Sequence, residues 1–298
     1  MNSVKNIFSI RDLENLSGIK AHTIRIWEKR YNVLSPMRTD SNIRLYDLAN
    51  LQKLLNITLL HNHGYKISKI SKVPDDKIPG MVREIISRKS IPHHAINAFK
   101  MAMMNFDTKL FLSTYEQLLS EKSFREIFYD VMLPLLDEIG LLWQSGTITP
   151  AHEHFISYLI KQKVLVNTEK LQVKDAVRED RFFVLFLPLN EVHELGLMYL
   201  NYEILSHGYR SVYLGESVPT ESLLDIRRFF KNVTYVSYFT VEPTVEAALA
   251  YVNDLADRLF EPDSELWILG RNTQHLEEQD LPSGTKVFST ISELVTHL

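Results

Sequence analysis

Apolar residues near the start of the chain recur at helical spacing. Ile10, Leu13 and Leu16 share one face of a predicted helix. Gly18 follows at the position where a left-handed residue ends a helix. Residues 21–31 (AHTIRIWEKRY) then predict a second short helix. Two short helices joined by a glycine-containing turn form a helix-turn-helix pattern.

The next segments predict a wing, a third helix and a linker. Residues 34–46 contain Pro36 and are polar at their centre, which is typical of a small hairpin or wing. Residues 47–63 return to helical spacing with a stripe of leucines. Pro74 and Pro79, with acidic residues between them, indicate a linker.

Beyond the linker, helix-length segments separated by short polar breaks predict a four-helix bundle. These segments are residues 95–104, 108–121, 124–143 and 151–171. Pro134 lies inside the third segment, and we expect a kink there because proline cannot donate a helical hydrogen bond.

From residue 181 short apolar runs alternate with helical stretches. Continuous apolar runs are typical of a parallel sheet covered on both faces, with ligands at the carboxyl ends of its strands. The runs are residues 182–189, 211–214, 235–240, 266–270 and 286–289. The predicted helices begin near Val192, Thr220, Pro243 and Thr273, with a last one at 291–298.

The predicted fold is therefore multidomain. It joins an N-terminal winged helix-turn-helix, a central four-helix bundle and a C-terminal α/β, Rossmann-like parallel sheet of the flavodoxin-like kind. The predicted boundaries are 1–74 for the head, 75–90 for the linker, 91–176 for the bundle and 177–298 for the sheet domain.

Composition excludes several classes of protein. With 298 residues, 45% of them hydrophobic and 23% charged, the chain is predicted to be globular rather than disordered. The absence of cysteine excludes disulfides, thiolate zinc sites, cysteine nucleophiles and cysteine-ligated clusters. The N-terminus lacks a signal-peptide core, and no apolar run approaches the ~20 residues that span a bilayer. We expect a cytoplasmic protein without a membrane partner.

Charge is distributed unevenly along the chain. The net charge is −4, but residues 1–74 hold 12 Lys/Arg and 5 Asp/Glu, a net of +7, which leaves −11 for residues 75–298. A basic head on an acidic body is expected when one domain contacts phosphate.

Residues 8–46 resemble the DNA-binding domain of the MerR family of transcription regulators, through TIR-x-WE-x-RY, P-x-RT and R-x-Y. The resemblance implies binding to a double-stranded DNA operator, as a dimer on an inverted repeat. Asn32 stands where the family usually has glycine, and asparagine tolerates the left-handed turn. Trp27 and Tyr46 are expected in the core, and Lys29 in solvent. The predicted DNA-binding residues are Thr23, Arg25, Arg30, Tyr31, Arg38, Thr39 and Arg44.

The segment Glu191-Val-His193-Glu-Leu-Gly196 follows the first apolar run and resembles the E/D-x-H-x-x-G loop of cobalamin-binding Rossmann-like domains. Residues 208–219 extend the resemblance through G-x-x-V-x-x-LG-x-x-VP. It implies that His193 is the metal ligand to the cobalt of cobalamin. Glu191 would hold the other ring nitrogen, and Gly196 would let the corrin-bearing chain approach.

In the bundle segment, Trp143 and the pair Glu153-His154 resemble the signature of light-responsive MerR regulators of the CarH/LitR type. The resemblance implies adenosylcobalamin as cofactor, with the indole over the upper face of the corrin and the pair beside the upper axial group. Gln144 follows the tryptophan, so a second imidazole ligand after photolysis would come from elsewhere, such as His152 or His154.

Two positions depart from the cobalamin-binding pattern. The family usually has Ser-x-Thr/Leu in the third strand and Gly-Gly after the fourth, and these line the slot for the nucleotide tail. Here they are Ser237-Tyr238-Phe239 and Gly270-Arg271. Ser237 and Gly270 are retained as predicted cofactor-binding residues. Phe239 narrows the slot, whereas Arg271 either narrows it or meets the tail phosphate.

Together these features predict a regulator, most simply a repressor, that forms a homo-oligomer (dimer or tetramer) and is controlled by cobalamin and by light. The direction of the switch stays open. An alternative is a cofactor-independent MerR-type regulator whose C-terminal region serves dimerisation or protein interaction. An enzyme is not expected, because the chain has no room for the substrate domains of cobalamin mutases or methyltransferases and no phosphate loop, metalloprotease helix or nucleophile elbow.

Overall fold

The computed structural model describes residues 7–39, 41–62, 64–86 and 91–298. The chain divides into two compact units, Met1–Ile160 and Lys161–Leu298. Among the described helices, none is both long enough and apolar enough to cross a membrane.

The first unit begins with the predicted winged helix-turn-helix. Its three short strands form an antiparallel sheet in the order β1-β3-β2. The elements are β1 Ile7–Ser9, α1 Ile10–Ser17, α2 Ala21–Tyr31, β2 Met37–Arg38, β3 Arg44–Asp47, α3 Leu48–Asn62, α4 Ile67–Ile70 and α5 Ile78–Ile86.

Both helices of the helix-turn-helix begin and end where the sequence indicates. Ser9 and Asp12 form a capping box at the start of α1, each side chain accepting the other's backbone N–H. Gly18 ends α1 in the left-handed region with φ 75°. Asn32 ends α2 with φ 50°, and its N–H donates to the Glu28 carbonyl at 3.0 Å. The predicted tolerance of asparagine at this turn is confirmed.

The wing is fastened to α2 by one carboxylate. Tyr46 is fully buried in β3, and its hydroxyl donates to Glu28 Oε2 at 2.9 Å. Arg44 Nε donates to both oxygens of Glu28, at 3.0 and 3.2 Å. Burial, followed by the hydrogen bond to Glu28, raises the pKa of Tyr46 above its usual range. The core positions predicted for Trp27 and Tyr46 are confirmed, since both side chains are buried.

The predicted linker is partly helical. Helix α5 occupies Ile78–Ile86, with Pro79 in its first turn, where a missing N–H costs no helical hydrogen bond. The expectation of a linker from residue 75 is therefore wrong over α5, and residues 87–90 lie outside the described part of the chain.

The helical bundle forms from the predicted segments. Rings from different helices meet in its core, as do those of Phe99 and Phe111 at 4.7 Å. The helices are α6 Ile91–Asn105, α7 Thr108–Leu119, α8 Phe124–Ile127, α9 Leu133–Gln144 and α10 Pro150–Gln172, the last of which continues into the second unit. The irregularity expected at Pro134 takes the form of a π-helical turn at Phe128–Met132, between α8 and α9.

The second unit is a five-stranded, fully parallel sheet in the order β5-β4-β6-β7-β8. This order is the flavodoxin-like one, so the predicted fold class is confirmed. The elements are β4 Phe182–Phe186, α11 Leu195–Ser206, β5 Arg210–Gly215, α12 Thr220–Arg227, β6 Val233–Tyr238, α13 Val245–Leu259, β7 Glu265–Leu269, β8 Thr285–Phe288 and α14 Ile291–Val295.

The helix predicted to begin near Thr273 is absent from the described structure. Two 3-10 turns, Arg271–Thr273 and Glu278–Asp280, join β7 to β8 instead. Asn272 explains part of this difference, because its side-chain amide donates to the carbonyls of Val241 and Pro243 and holds the loop against its neighbour. The segment also lacks an apolar stripe at helical spacing.

We expect the Glu28 carboxylate to couple the wing to α2 in stability measurements. Tyr46→Phe and Arg44→Met should each lower the free energy of unfolding by roughly 1 kcal/mol, since each removes a hydrogen bond to a charged group. The double variant should lose a different amount from the sum, because both groups share one acceptor. Urea denaturation measures both quantities, with Lys29→Met as the exposed control. Full additivity would contradict the coupling.

Candidate functional site

The predicted DNA-binding residues of α2 lie at its surface. Arg25 and Arg30 are exposed, and Thr23 is half-buried with its hydroxyl 3.3 Å from His22 Nε2. The guanidinium of Arg30 lies over the Tyr31 ring, 5.4 Å from its centroid. Exposed guanidinium and hydroxyl groups on a helix of this kind suit contacts to phosphates and base edges.

The wing presents its predicted residues less uniformly. Arg38 is exposed, and its guanidinium donates to Asn42 Oδ1 at 2.5 Å. Thr39 N–H donates to the Ile43 carbonyl at 3.0 Å, which closes the tip of the wing. Arg44 is held by Glu28, so its predicted phosphate contact has to compete with an internal ion pair. Their role in DNA binding stays a prediction.

Asn42 is a wing residue that sequence reasoning missed. It adopts φ 61°, and its side chain orients Arg38. The signal was present in the polar Asp-Ser-Asn segment between two short strands, since asparagine is enriched at left-handed turn positions.

The second candidate site begins at the carboxyl end of β4. Glu191 is fully buried there, and its Oε1 accepts hydrogen bonds from the N–H groups of Val192 and His193, at 2.9 and 3.0 Å. The same oxygen lies 2.6 Å from Nδ1 of the His193 ring. The pairing of these two side chains that the sequence implies is therefore present.

The other oxygen of Glu191 binds a different loop. Oε2 accepts the backbone N–H groups of three consecutive residues after β6, Thr240 at 3.1 Å, Val241 at 2.6 Å and Glu242 at 2.9 Å. Burial by itself raises the pKa of Glu191, but the hydrogen bonds from Val241, Glu242 and His193 outweigh it and lower the pKa to about 2. The carboxylate is therefore ionised throughout the physiological range.

This arrangement prepares the His193 ring to bind a metal. With Nδ1 donating to an ionised carboxylate, Nε2 of the neutral ring carries the lone pair. The side chain is 54% exposed, so that nitrogen is accessible from outside the fold. A neutral imidazole oriented by a carboxylate fits an axial ligand of cobalt.

A neighbouring polar group escaped the sequence analysis. Glu194 accepts from Lys161 Nζ at 3.1 Å and from the Tyr213 hydroxyl at 3.1 Å. Burial, then the charge of Glu194, raises the pKa of Tyr213 above its usual range, so the hydroxyl stays protonated. The sequence gives little indication of these Glu194 contacts, because Tyr213 lies in a short apolar run and Lys161 is distant in sequence.

Gly196 has a structural neighbour that the sequence does not reveal. A Cβ atom built on it would lie 2.8 Å from the ring of Tyr238, closer than such atoms approach in proteins. A side chain at this position would therefore require the Tyr238 ring to move. The resemblance implies that the corrin-bearing chain approaches Gly196 closely. In this structure the Tyr238 ring already occupies the space beside that glycine.

The residues near the predicted tail slot are engaged within the fold. Ser237 is buried and its hydroxyl donates to the Phe186 carbonyl at 2.8 Å. Phe239 is fully buried in the apolar core of the sheet. Gly270 has φ 118°, and a Cβ there would lie 2.4 Å from the Phe239 carbonyl oxygen. Arg271 is exposed. The Glu191–His193 pair thus fits the cobalt of cobalamin. In contrast, Ser237, Phe239 and Gly270 form a closely packed region where the resemblance places the nucleotide tail.

The predicted upper-face residues lie near the junction of α9 and α10. The Trp143 side chain is 55% exposed, and Glu153 Oε2 lies 3.3 Å from Nε2 of the exposed His154. His152 is fully buried, with Nδ1 2.8 Å from the Thr149 hydroxyl and its ring stacked on Phe106. Of the two histidines considered as a second ligand, only His154 is therefore accessible.

Two family models match the chain. Residues 8–77 match the MerR HTH family regulatory protein model, and residues 95–166 match the B12 binding domain model. The second match covers the helical bundle, so the cobalamin-binding assignment does not depend on the loop at His193 alone.

The chain is also similar to two transcriptional repressors. The chain is 28% identical to the HTH-type transcriptional repressor CarH of Myxococcus xanthus over 72% of this chain and 73% of that protein. It is 24% identical to the repressor CarA of the same organism over 72% and 70% of the two chains.

A solved structure shares the fold. The monomethylamine corrinoid protein of Methanosarcina barkeri superposes with a TM-score of 0.55 over 67% of this chain and 94% of that chain, at 12% identity. The chain therefore carries a MerR-type helix-turn-helix region followed by a B12-binding domain, the combination expected of a CarH-like MerR regulator.

Proposed function

We propose that this protein is a DNA-binding transcription regulator, a repressor, whose operator binding is controlled by cobalamin held on His193. The observation that carries the proposal is the buried, ionised Glu191, which fixes the His193 ring with Nε2 accessible. The chain that carries this Glu191–His193 pair also carries a basic helix-turn-helix.

The head supplies the DNA-binding surface. Its net charge of +7 attracts the phosphate backbone even though the whole chain is acidic. Arg25 lies near the start of α2, where side chains read base edges in the major groove. Arg38 projects from the wing and is placed for backbone contacts.

The sheet domain and the bundle supply the cofactor-binding groups. Following the resemblance to CarH/LitR-type regulators, we infer that His193 would ligate the cobalt and that Trp143, Glu153 and His154 would contact the bound cofactor. Bound adenosylcobalamin supplies a cobalt–carbon bond that light breaks. Trp143 offers an exposed indole, and the Glu153-His154 pair, ten residues further along the chain, offers hydrogen-bonding groups.

Control of transcription follows if the bundle responds to the cofactor. In the dark, contacts from Trp143, Glu153 and His154 brace the bundle surface, and this surface supports a dimer or tetramer that holds the operator. Loss of the adenosyl group on illumination removes those contacts. The expected consequence is dissociation of the oligomer and release of DNA.

A cofactor-independent regulator is the second candidate, and one observation favours it. Phe239 is fully buried, and its backbone packs against Gly270, in the region that the resemblance assigns to the nucleotide tail. In that case the sheet domain serves dimerisation or protein interaction, and the Glu191–His193 pair is structural.

DNA binding by the head is tested with an operator selected from random duplexes. Arg25→Ala should relax sequence discrimination, because a base-edge contact is lost. Arg38→Ala should weaken binding to all sequences and reduce the salt slope by about one. Fluorescence anisotropy at several salt concentrations measures both, with Lys29→Ala as control. Selection without any sequence preference by the wild type would rule out a specific repressor.

Cobalamin binding is tested by gel filtration and visible absorbance. His193→Ala should lose the spectral shift of nitrogen-ligated cobalt. Glu191→Gln should weaken binding by about 10–100-fold, because the amide carries no charge and can accept through only one of the two atoms that now accept N–H groups. The exposed His275→Ala in the same domain should match the wild type. Failure of the wild type to retain adenosylcobalamin would favour the cofactor-independent candidate.

Light control is tested on protein loaded with adenosylcobalamin in the dark. We expect a larger oligomer and tight operator binding before illumination, and loss of both afterwards. Size-exclusion chromatography and gel-shift assays report these changes, with hydroxocobalamin-loaded protein as the light-insensitive control. Identical behaviour in dark and light would leave a cobalamin-binding regulator without light sensing.

A further inference from the structure

A cavity of about 620 Å³ lies within the first unit, where α1 and α3 of the head meet α6 and α9 of the bundle. Its volume falls in the range of small-molecule sites, roughly 300–1,000 Å³. None of its lining residues belongs to the DNA-binding or cobalamin-binding sets described above.

A buried cation forms part of its wall. Lys100 is only 6% exposed, and its Nζ donates to the Leu16 carbonyl at 3.2 Å and to Glu138 Oε2 at 2.7 Å. An ammonium has three donors, so these two acceptors leave one for a ligand. The Glu138 side chain is 44% exposed, and it can turn into solvent at little cost. Lys100 cannot turn into solvent in the same way, because it is buried and donates to the Leu16 carbonyl.

A second wall residue is an unsatisfied hydroxyl. Thr58 is 4% exposed, and its Oγ1 makes no hydrogen bond within the described part of the chain. A buried hydroxyl usually has a hydrogen-bond partner, so the unpaired Thr58 hydroxyl can serve a bound polar group. Thr58 and Lys100 both belong to the lining of the cavity, and the Thr58 hydroxyl lies just beneath the cavity surface.

The rest of the lining is mixed. Leu16, Ile96 and Leu142 contribute apolar surface, and asparagine side chains add amide groups. Among the described lining residues Lys100 is the one cation, and the carbonyl end of α1 adds negative potential, so a multiply charged anion is disfavoured.

We propose that this cavity binds a small amphipathic monoanion, such as an aromatic or short aliphatic carboxylate. Its charged group accepts the remaining Lys100 donor and displaces the Glu138 carboxylate, and a rotation of the Thr58 side chain brings its hydroxyl to one of the ligand oxygens. Its apolar body packs on Leu16, Ile96 and Leu142. Because α1 belongs to the head and α6 and α9 belong to the bundle, such a ligand contacts both. Helix α1 is followed directly by α2, the helix that carries Arg25.

Calorimetric titration of the full chain without cobalamin tests the site, with benzoate as probe and benzamide as its neutral analogue. We expect saturable one-to-one binding of benzoate only. Lys100→Met should weaken it by more than about tenfold, and Glu138→Gln should tighten it by about threefold or more, because a competing carboxylate is removed. The exposed Lys109→Met should match the wild type.

Lys100→Met also removes a partner of Leu16, so circular dichroism must confirm its fold. Thr58→Val gives an independent result, because it removes an unpaired hydroxyl and leaves the shape of the side chain. It should fold normally and bind benzoate about fivefold more weakly. The proposal is overturned if the wild type shows no saturable binding, if benzamide binds equally well, or if Thr58→Val and Glu138→Gln both match the wild type.

Discussion

A single buried carboxylate organises the carboxyl edge of the sheet. Glu191 binds its own loop through Oε1 and the loop after β6 through Oε2, and its backbone carbonyl accepts the N–H of Ser217 from the loop after β5. A charge in this position is costly unless it is fully hydrogen-bonded, and here every contact also fixes a loop. The orientation of His193 follows from this network, so the proposed role of His193 as a cobalt ligand depends on Glu191.

The head uses the same device on a smaller scale. Glu28 of α2 binds Arg44 and Tyr46 of β3, and this fixes the wing relative to the helix that carries the predicted base contacts. In both units, one acidic side chain joins elements that are separate in sequence. The positions of the predicted functional side chains therefore depend on the acidic residues Glu28 and Glu191.

Local patterns allowed most of the fold to be predicted. Apolar spacing identified most of the helices and the strands of the parallel sheet, and Gly18 and Asn32 marked two helix ends, because these features depend on a few adjacent residues. The pairing of Glu191 with His193 was implied by the resemblance of this loop, in which the two residues lie close together. The missing helix near Thr273 was not predicted, because Asn272 bonds to a loop about thirty residues away. Long-range contacts such as Tyr238 on Gly196 leave no periodic signal in the sequence.

The bond from Lys100 to the carbonyl of Leu16 bears on how such regulators can be recombined. The last turn of α1 finds one of its hydrogen-bond partners in the bundle, and Asn15 finds another in Thr147. A head transplanted onto a different effector domain would lose both partners at once. The head can therefore be exchanged as a module only if the new effector domain offers equivalent donors and acceptors. Chimaeric regulators should be designed to meet that requirement.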